Sequence, residues 1–536
     1  MERRTFLTAT AATALLPLAS RLALAAPETT LRLAMTLTDI PQTTGQATGG
    51  GEGQRFIGTT IYDSLFAWDL SQGEKTAEIV PSLAESFSVD PETKLTWTFK
   101  LRQGIKFHDG SDFNADSVVW NFDKLINKES PQYDPAQVAT AGSYFVGVKS
   151  YKKIDDYTVS VTLGSPDSLF YYRIVNVGMS SPARWKELGG DWAKFADKPS
   201  GTGPWILEKL VPRERAELRK NANYWNPKRI PKTDKLILFA MGDATTRAAA
   251  LLSGQVDWVE APPPDVVPRL KQAGMQIATN VYPHVWPYYL SYTDESPFKD
   301  IRVRKAANLA IDREGLCKFL GGLAKPAKGS VDVSSPWFGK PTFDIKYDPA
   351  EAKKLLAEAG YGPGKPCKVK FLTSQSGSGQ MQPMPMNEFI QENMNAVGFS
   401  LEVEIIDWEA LRARRAGRAD GPRNNGVHGL NNSWNVQEPD FGFMSVMSGK
   451  RFPPNGNNWG LYSDPKTEAL CEAVIAEFDP KKRDEKMAEL HTYLVDQSVW
   501  IWVVHDLNPR GLSPKVKGFI PPQNWGVDLT SISMSS

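Results

Sequence analysis

Apolar and polar residues alternate along Leu95-Thr96-Trp97-Thr98-Phe99-Lys100-Leu101, the period of a strand with one face in a core. Gln103-Gly104 turns the chain, Ile105 and Phe107 resume the alternation, and Asp109-Gly110 turns it again. The period then changes. Behind Asn114, an N-cap residue, Val118, Phe122, Leu125 and Ile126 recur at helical spacing. A further strand pair is predicted across Lys153-Ile154-Asp155-Asp156-Tyr157-Thr158-Val159-Ser160-Val161, so this stretch has the pattern of a small α+β unit. Ahead of it, Leu31-Arg32-Leu33-Ala34-Met35 predicts a first strand. It runs into a Gly- and Thr-rich segment from Thr43 to Gly53 that is expected to be a loop facing a cleft.

Farther along, Asp348-Pro349-Ala350-Glu351 combines an acidic N-cap, proline at the first helical position and glutamate three residues after the cap. That helix continues through Leu355 and Leu356 and stops at Gly360. A strand over Lys368-Val369-Lys370-Phe371-Leu372, a helix from Phe389 to Val397 and a strand from Leu401 to Ile406 follow. Helices interleaved with strands in this way predict an α/β fold on a mostly parallel, twisted sheet.

Composition narrows the class. The 536 residues suffice for two or more lobes with their own cores, and 41% hydrophobic with 23% charged residues is an ordinary globular balance. A formal charge of +1, from 62 basic and 61 acidic residues, gives no electrostatic reason to expect nucleic acid or an anionic membrane as a partner. Cys317, Cys367 and Cys471 are too few for a disulfide framework, have neither zinc nor redox spacing, and read as structural. At the N-terminus, Arg3-Arg4 precedes a mildly apolar run broken by Pro17 and closed by Arg21, and Ala23-Leu24-Ala25 supplies small residues for cleavage. Residues 1–25 are therefore expected to be a twin-arginine signal peptide. With no cysteine at the cleavage site to carry a lipid anchor, the expected product is a soluble periplasmic protein.

Catalytic signatures are missing from the chain. Five histidines include no HExxH pair, and no GxSxG elbow, phosphate-loop lysine or GxGxxG fingerprint occurs. His108-Asp109 falls on a turn whose Asp-Gly is a backbone requirement. The expectation is a non-enzyme with no cofactor and no metal. Aromatic density is more informative: 16 Trp, 16 Tyr and 24 Phe. Trp286, Trp408, Trp434 and Trp459 lie in polar, loop-like contexts, Trp434 within Asn431-Asn432-Ser433-Trp434-Asn435. Indoles beside amides such as Asn432 suit a pocket that stacks on a ligand and hydrogen-bonds its edges.

An ordered set of blocks carries a resemblance. It includes Pro81-Ser82-Leu83-Ala84-Glu85-Ser86-Phe87, Trp97 to Gly110, Gly201-Thr202-Gly203-Pro204-Trp205, Asn223-Tyr224-Trp225 and Leu252 to Asp257. Lys299 to Ala306, Ala310-Ile311-Asp312-Arg313, and Tyr347-Asp348-Pro349 with Leu355 to Tyr361 complete it. The chain resembles the family 5 extracellular solute-binding proteins of oligopeptide, dipeptide and nickel importers.

The resemblance implies a two-lobe periplasmic binding protein of type II, cluster C-like, with an extra α+β subdomain. Lobe I is expected over 26–62, 200–293 and 502–536, the subdomain over 63–199, and lobe II over 294–501. It further implies a monomer that captures a small-molecule ligand between closing lobes and docks on an ABC transporter permease. Trp434 is the expected stacking residue, and Glu438 or Asp440 would pair with a ligand cation. Val436-Gln437 stands where the family's amine-binding aspartate is expected, which ranks polar organic solutes, opine-like or sugar-like, ahead of peptides. A secreted hydrolase and a sensing or chaperone protein on the same fold are the alternatives.

Overall fold

A computed structural model describes residues 28–535; the segment expected to be the export signal lies outside them. Two seven-stranded sheets and one four-stranded sheet organise the chain. The first runs, in spatial order, Gln276–Ala278, Arg510–Leu512, Trp258–Glu260, Thr30–Met35, Lys235–Ala240, Arg215–Lys220 and Trp205–Val211. The second runs Ala324–Pro326, Trp500–Asp506, His284–Leu290, Gly429–Asn431, Cys367–Ser374 and Phe399–Ile406, with Trp434–Asn435 added beside His284–Leu290. The third, Ala84–Val89, Thr96–Leu101, Thr158–Leu163 and Val148–Asp155, forms the α+β unit with the helix Ala115–Ile126.

Capping chemistry sets the helix starts where the sequence placed them. Asn114 accepts the Ser117 N–H at 3.1 Å and offers its own N–H to the Ser117 hydroxyl, closing a reciprocal cap. Asp348 accepts the Glu351 N–H at 3.0 Å ahead of Pro349, and Gly360 takes the left-handed conformation just past the helix end. In the turn at 108–111, His108 places Nε2 at 2.9 Å from the Gly203 carbonyl, while Asp109 accepts from Ser111 and Ser181, so both side chains serve the turn.

Three expectations are corrected. The large sheets are mixed rather than mostly parallel. Thr30–Met35 is parallel to both neighbours, and Cys367–Ser374 to both of its own, but the other pairings in these two sheets are antiparallel. The hairpin turning between Val211 and Arg215 is too short for a parallel crossover, and both sheets also take in strands delivered by chain crossings. Second, the segment from Thr43 to Gly53 is not loop throughout, because Gly50–Gly53 already begins a helical run that reaches Ile61. Third, the expected boundaries at 293 and 502 cut through the second sheet. His284–Leu290 and Trp500–Asp506 pair with each other there, so the chain passes between the large sheets at 279–283 and 507–509. Those two crossings run side by side, with the Asn280 N–H donating to the Leu507 carbonyl at 3.0 Å.

All three cysteines are buried and unbonded. Among the described residues, no helix is long and apolar enough to cross a membrane, and no group of three or more His, Cys, Asp or Glu is placed to hold a metal ion.

Candidate functional site

Residues from all three sheet units wall a cavity of about 890 Å³. That volume falls in the range of small-molecule sites. The helix Trp408–Arg415 supplies much of one side. Asp407 caps it by accepting the Glu409 and Ala410 N–H groups, and Trp408, Arg412 and Arg415 then recur at i, i+4 and i+7 on one face. The segment after Gly429–Asn431 adds Asn432, Trp434, Gln437, Glu438 and Phe441. From the first sheet's side come Gly50, Gly51, Arg55 and Trp525, and from the α+β unit Tyr144.

Glycines let backbone reach these indoles. Gly51 lies so close to Trp525, and Gly377 to Trp408, that a Cβ at either position would overlap the ring. His284 clusters with Tyr282, at 5.1 Å, and Trp525, at 4.9 Å, and burial first and His505 second pull its imidazole down to about 3, leaving it neutral. Where the two large lobes meet, the Glu52 N–H donates to the Ser378 hydroxyl at 2.9 Å.

Four of the seven expected ligand contacts reach the wall: Trp434, Trp408, Glu438 and Asn432. Trp434 is only 3% exposed, because Phe441 stacks on it at 4.3 Å and the Arg415 guanidinium lies 5.0 Å from its ring centre. It serves as a platform for Arg415 more than as an open stacking face. Glu438 accepts the Asp440 N–H at 2.7 Å and the Phe441 N–H at 2.5 Å, capping the helical turn Asp440–Met444. Burial first, then the neighbouring Asp440, push its carboxyl up to about 8, so it is mostly protonated at neutral pH. Asn432 donates to the Ser433 carbonyl at 2.5 Å.

The other three do not reach the wall. Trp286 sits in the middle of a central strand, fully buried, with Nε1–H donating to the Gln380 carbonyl at 3.1 Å. Its flanking prolines, Pro283 and Pro287, mimic a loop although the backbone is paired on both sides. Trp459 is likewise fully buried in the core of the second lobe. Asp440 is held by Arg451 at 2.6 Å and Arg173 at 3.2 Å, an ion cluster behind the wall.

Residues that the aromatic-and-amide criterion passed over include Arg412, Arg415 and Trp525. The first two were legible as a single helix face with Trp408. Trp525 had only its Asn524 and Gly526 neighbours as a signal.

Residues 78–468 match the bacterial extracellular solute-binding proteins, family 5 Middle. The chain belongs to that family. It is 28% identical over 477 residues to the glutathione-binding protein GsiB of Escherichia coli (strain K12), covering 86% of each chain. Among solved structures, a dipeptide-binding protein from Pseudoalteromonas sp. SM9913 in complex with Met-Leu superposes with a TM-score of 0.82 at 20% identity, covering 94% of this chain and 100% of that one. MoaA from A. tumefaciens R10, in complex with mannopinic acid, superposes at 0.76 with 21% identity, covering 95% and 100%. These structural likenesses establish the type II, two-lobe family 5 fold.

Proposed function

We propose that this family 5 protein is the periplasmic solute-binding component of an ABC importer, exported by the twin-arginine route. It captures a small polar organic solute between two lobes and presents the closed form to a membrane permease. The cavity carries this reading: its wall draws on both large sheets and on the α+β unit, so a guest filling it touches all three at once.

The crossings at 279–283 and 507–509 are the only links between the two sheets along the described chain, and they are the natural hinge. A ligand that contacts both lobes favours the closed population by the contacts it lacks in the open one. No covalent step is required of the wall, and the three relatives described above are named with glutathione, Met-Leu and mannopinic acid as what they bind.

The test is a thermal-shift screen of the mature protein against small peptides, opines, sugars and organic acids. A ligand at a hundredfold excess over Kd adds about 2.7 kcal/mol of stability, a shift of several degrees. A screen in which no compound moves the melting point, or one in which a compound binds and is chemically altered, contradicts the reading.

A further inference from the structure

Several ionisable side chains line the cavity, and nearly all are already engaged. Arg55 is ion-paired with Glu260, Arg229 with Asp528 at 3.3 Å, and Arg412 with Glu409 at 2.9 Å. Asp63 accepts from the Tyr224 hydroxyl and the Trp225 indole, each at 2.8 Å, and from Thr202 at 3.0 Å. Glu438 spends its carboxyl oxygens on two backbone N–H groups. Lys128 is solvent-exposed.

Arg415 is different. It is half-buried, it forms no ion pair among the described residues, and the Tyr289 hydroxyl lies beside its guanidinium. Its Nε is shut from solvent without an acceptor, and its guanidinium is held 5.0 Å from the ring centre of Trp434. The Tyr289 hydroxyl beside it, on a ring packed edge-on to Trp434 at 5.9 Å, brings no formal charge to balance the guanidinium. A partly buried guanidinium with no carboxylate partner is costly, and a wall that accepts the cost is built for something that arrives later.

We infer that the solute is an organic anion and that Arg415, braced on Trp434, receives its carboxylate, with no acidic side chain in the wall free to receive an ammonium group. The inference rests on the solute-binding reading above and narrows it to a ligand class. Arginine suits the task because its planar fork meets a carboxylate through two parallel hydrogen bonds. The indole keeps the fork in place without neutralising it. Of the wall's two carboxyls, Asp63 is taken up by its three donors, and Glu438 is mostly protonated at neutral pH and adds little negative charge to oppose an anion.

The probes are three carboxylates, glutathione, Met-Leu and mannopinic acid, each measured by calorimetry beside its carboxyl methyl ester. At least one acid is expected to bind wild-type protein about 10- to 100-fold more tightly than its ester, the effect of charge-assisted hydrogen bonds. In Arg415→Met that preference disappears while the ester binds as before. Arg415→Lys, which keeps the charge without the fork, retains part of the preference and stands in should the methionine variant fail to fold.

Equal binding of acid and ester, an undiminished preference in Arg415→Met, or binding of none of the three acids overturns the inference. The solute-binding reading survives each of these results if a neutral or cationic compound in the thermal screen raises the melting point. It fails separately if no compound does.

Discussion

Glu438 carries the most specific consequence among the single residues. A carboxyl whose folded-state pKa is raised to about 8 holds a proton that the unfolded chain releases near the ordinary glutamate value. Its neutral form therefore supports the fold fully at pH values below that ordinary range, and the support is lost as pH rises through about 8. Glu438→Gln mimics the protonated form. It is expected to flatten the fall in melting temperature between about pH 6 and pH 9, and to leave solute affinity at pH 7 within about threefold, about 0.6 kcal/mol. Melting curves across that range check the first outcome and calorimetry the second. A carboxylate that anchored a ligand amine would instead lose binding on this change. The sequence offered Glu438 and Asp440 as equivalent acids. What separates them is the partners each finds: Glu438 turns onto the N–H groups two and three residues on, while Asp440 takes Arg451 and, from far away in the sequence, Arg173, which no local pattern announces.

The helix Trp408–Arg415 is the element on which the site depends most. Its start is fixed by Asp407, so Asp407→Ala is expected to cost about 1 kcal/mol of stability. It should also weaken solute binding measurably, because Trp408, Arg412 and Arg415 are all placed by that first turn. Denaturant unfolding and calorimetry on the same variant read the two effects. Caps and turns of this kind were legible: Asn114, Asp348 and Gly360 all occupy the places their residue types predict. Strand membership was not. Trp500-Ile501-Trp502-Val503-Val504 is apolar throughout and His284–Leu290 contains a proline, so neither shows which sheet it joins. Only pairing with each other, across more than two hundred residues, places both in the second lobe. The same long-range pairing buries Trp286, which its local context had assigned to a loop.

For the molecule as a whole, the α+β unit and the second lobe are joined across the cavity's flank. Arg173 reaches Asp167 at 2.5 Å and Asp440 at 3.2 Å, and the Ser168 N–H donates to the Ile475 carbonyl at 2.8 Å. Asp440→Asn leaves Arg173 with one carboxylate and Arg451 with none, and is expected to cost about 3–5 kcal/mol, read as a lowered denaturation midpoint. These contacts and the Glu52–Ser378 hydrogen bond describe the lobes drawn together.

The central claim is that drawing together is what a bound solute does. Small-angle scattering of the mature protein, alone and saturated with the compound giving the largest thermal shift, tests it most directly. The account predicts a smaller radius of gyration in the saturated sample, its profile matching the arrangement described here. Identical profiles with the compound demonstrably bound would contradict it.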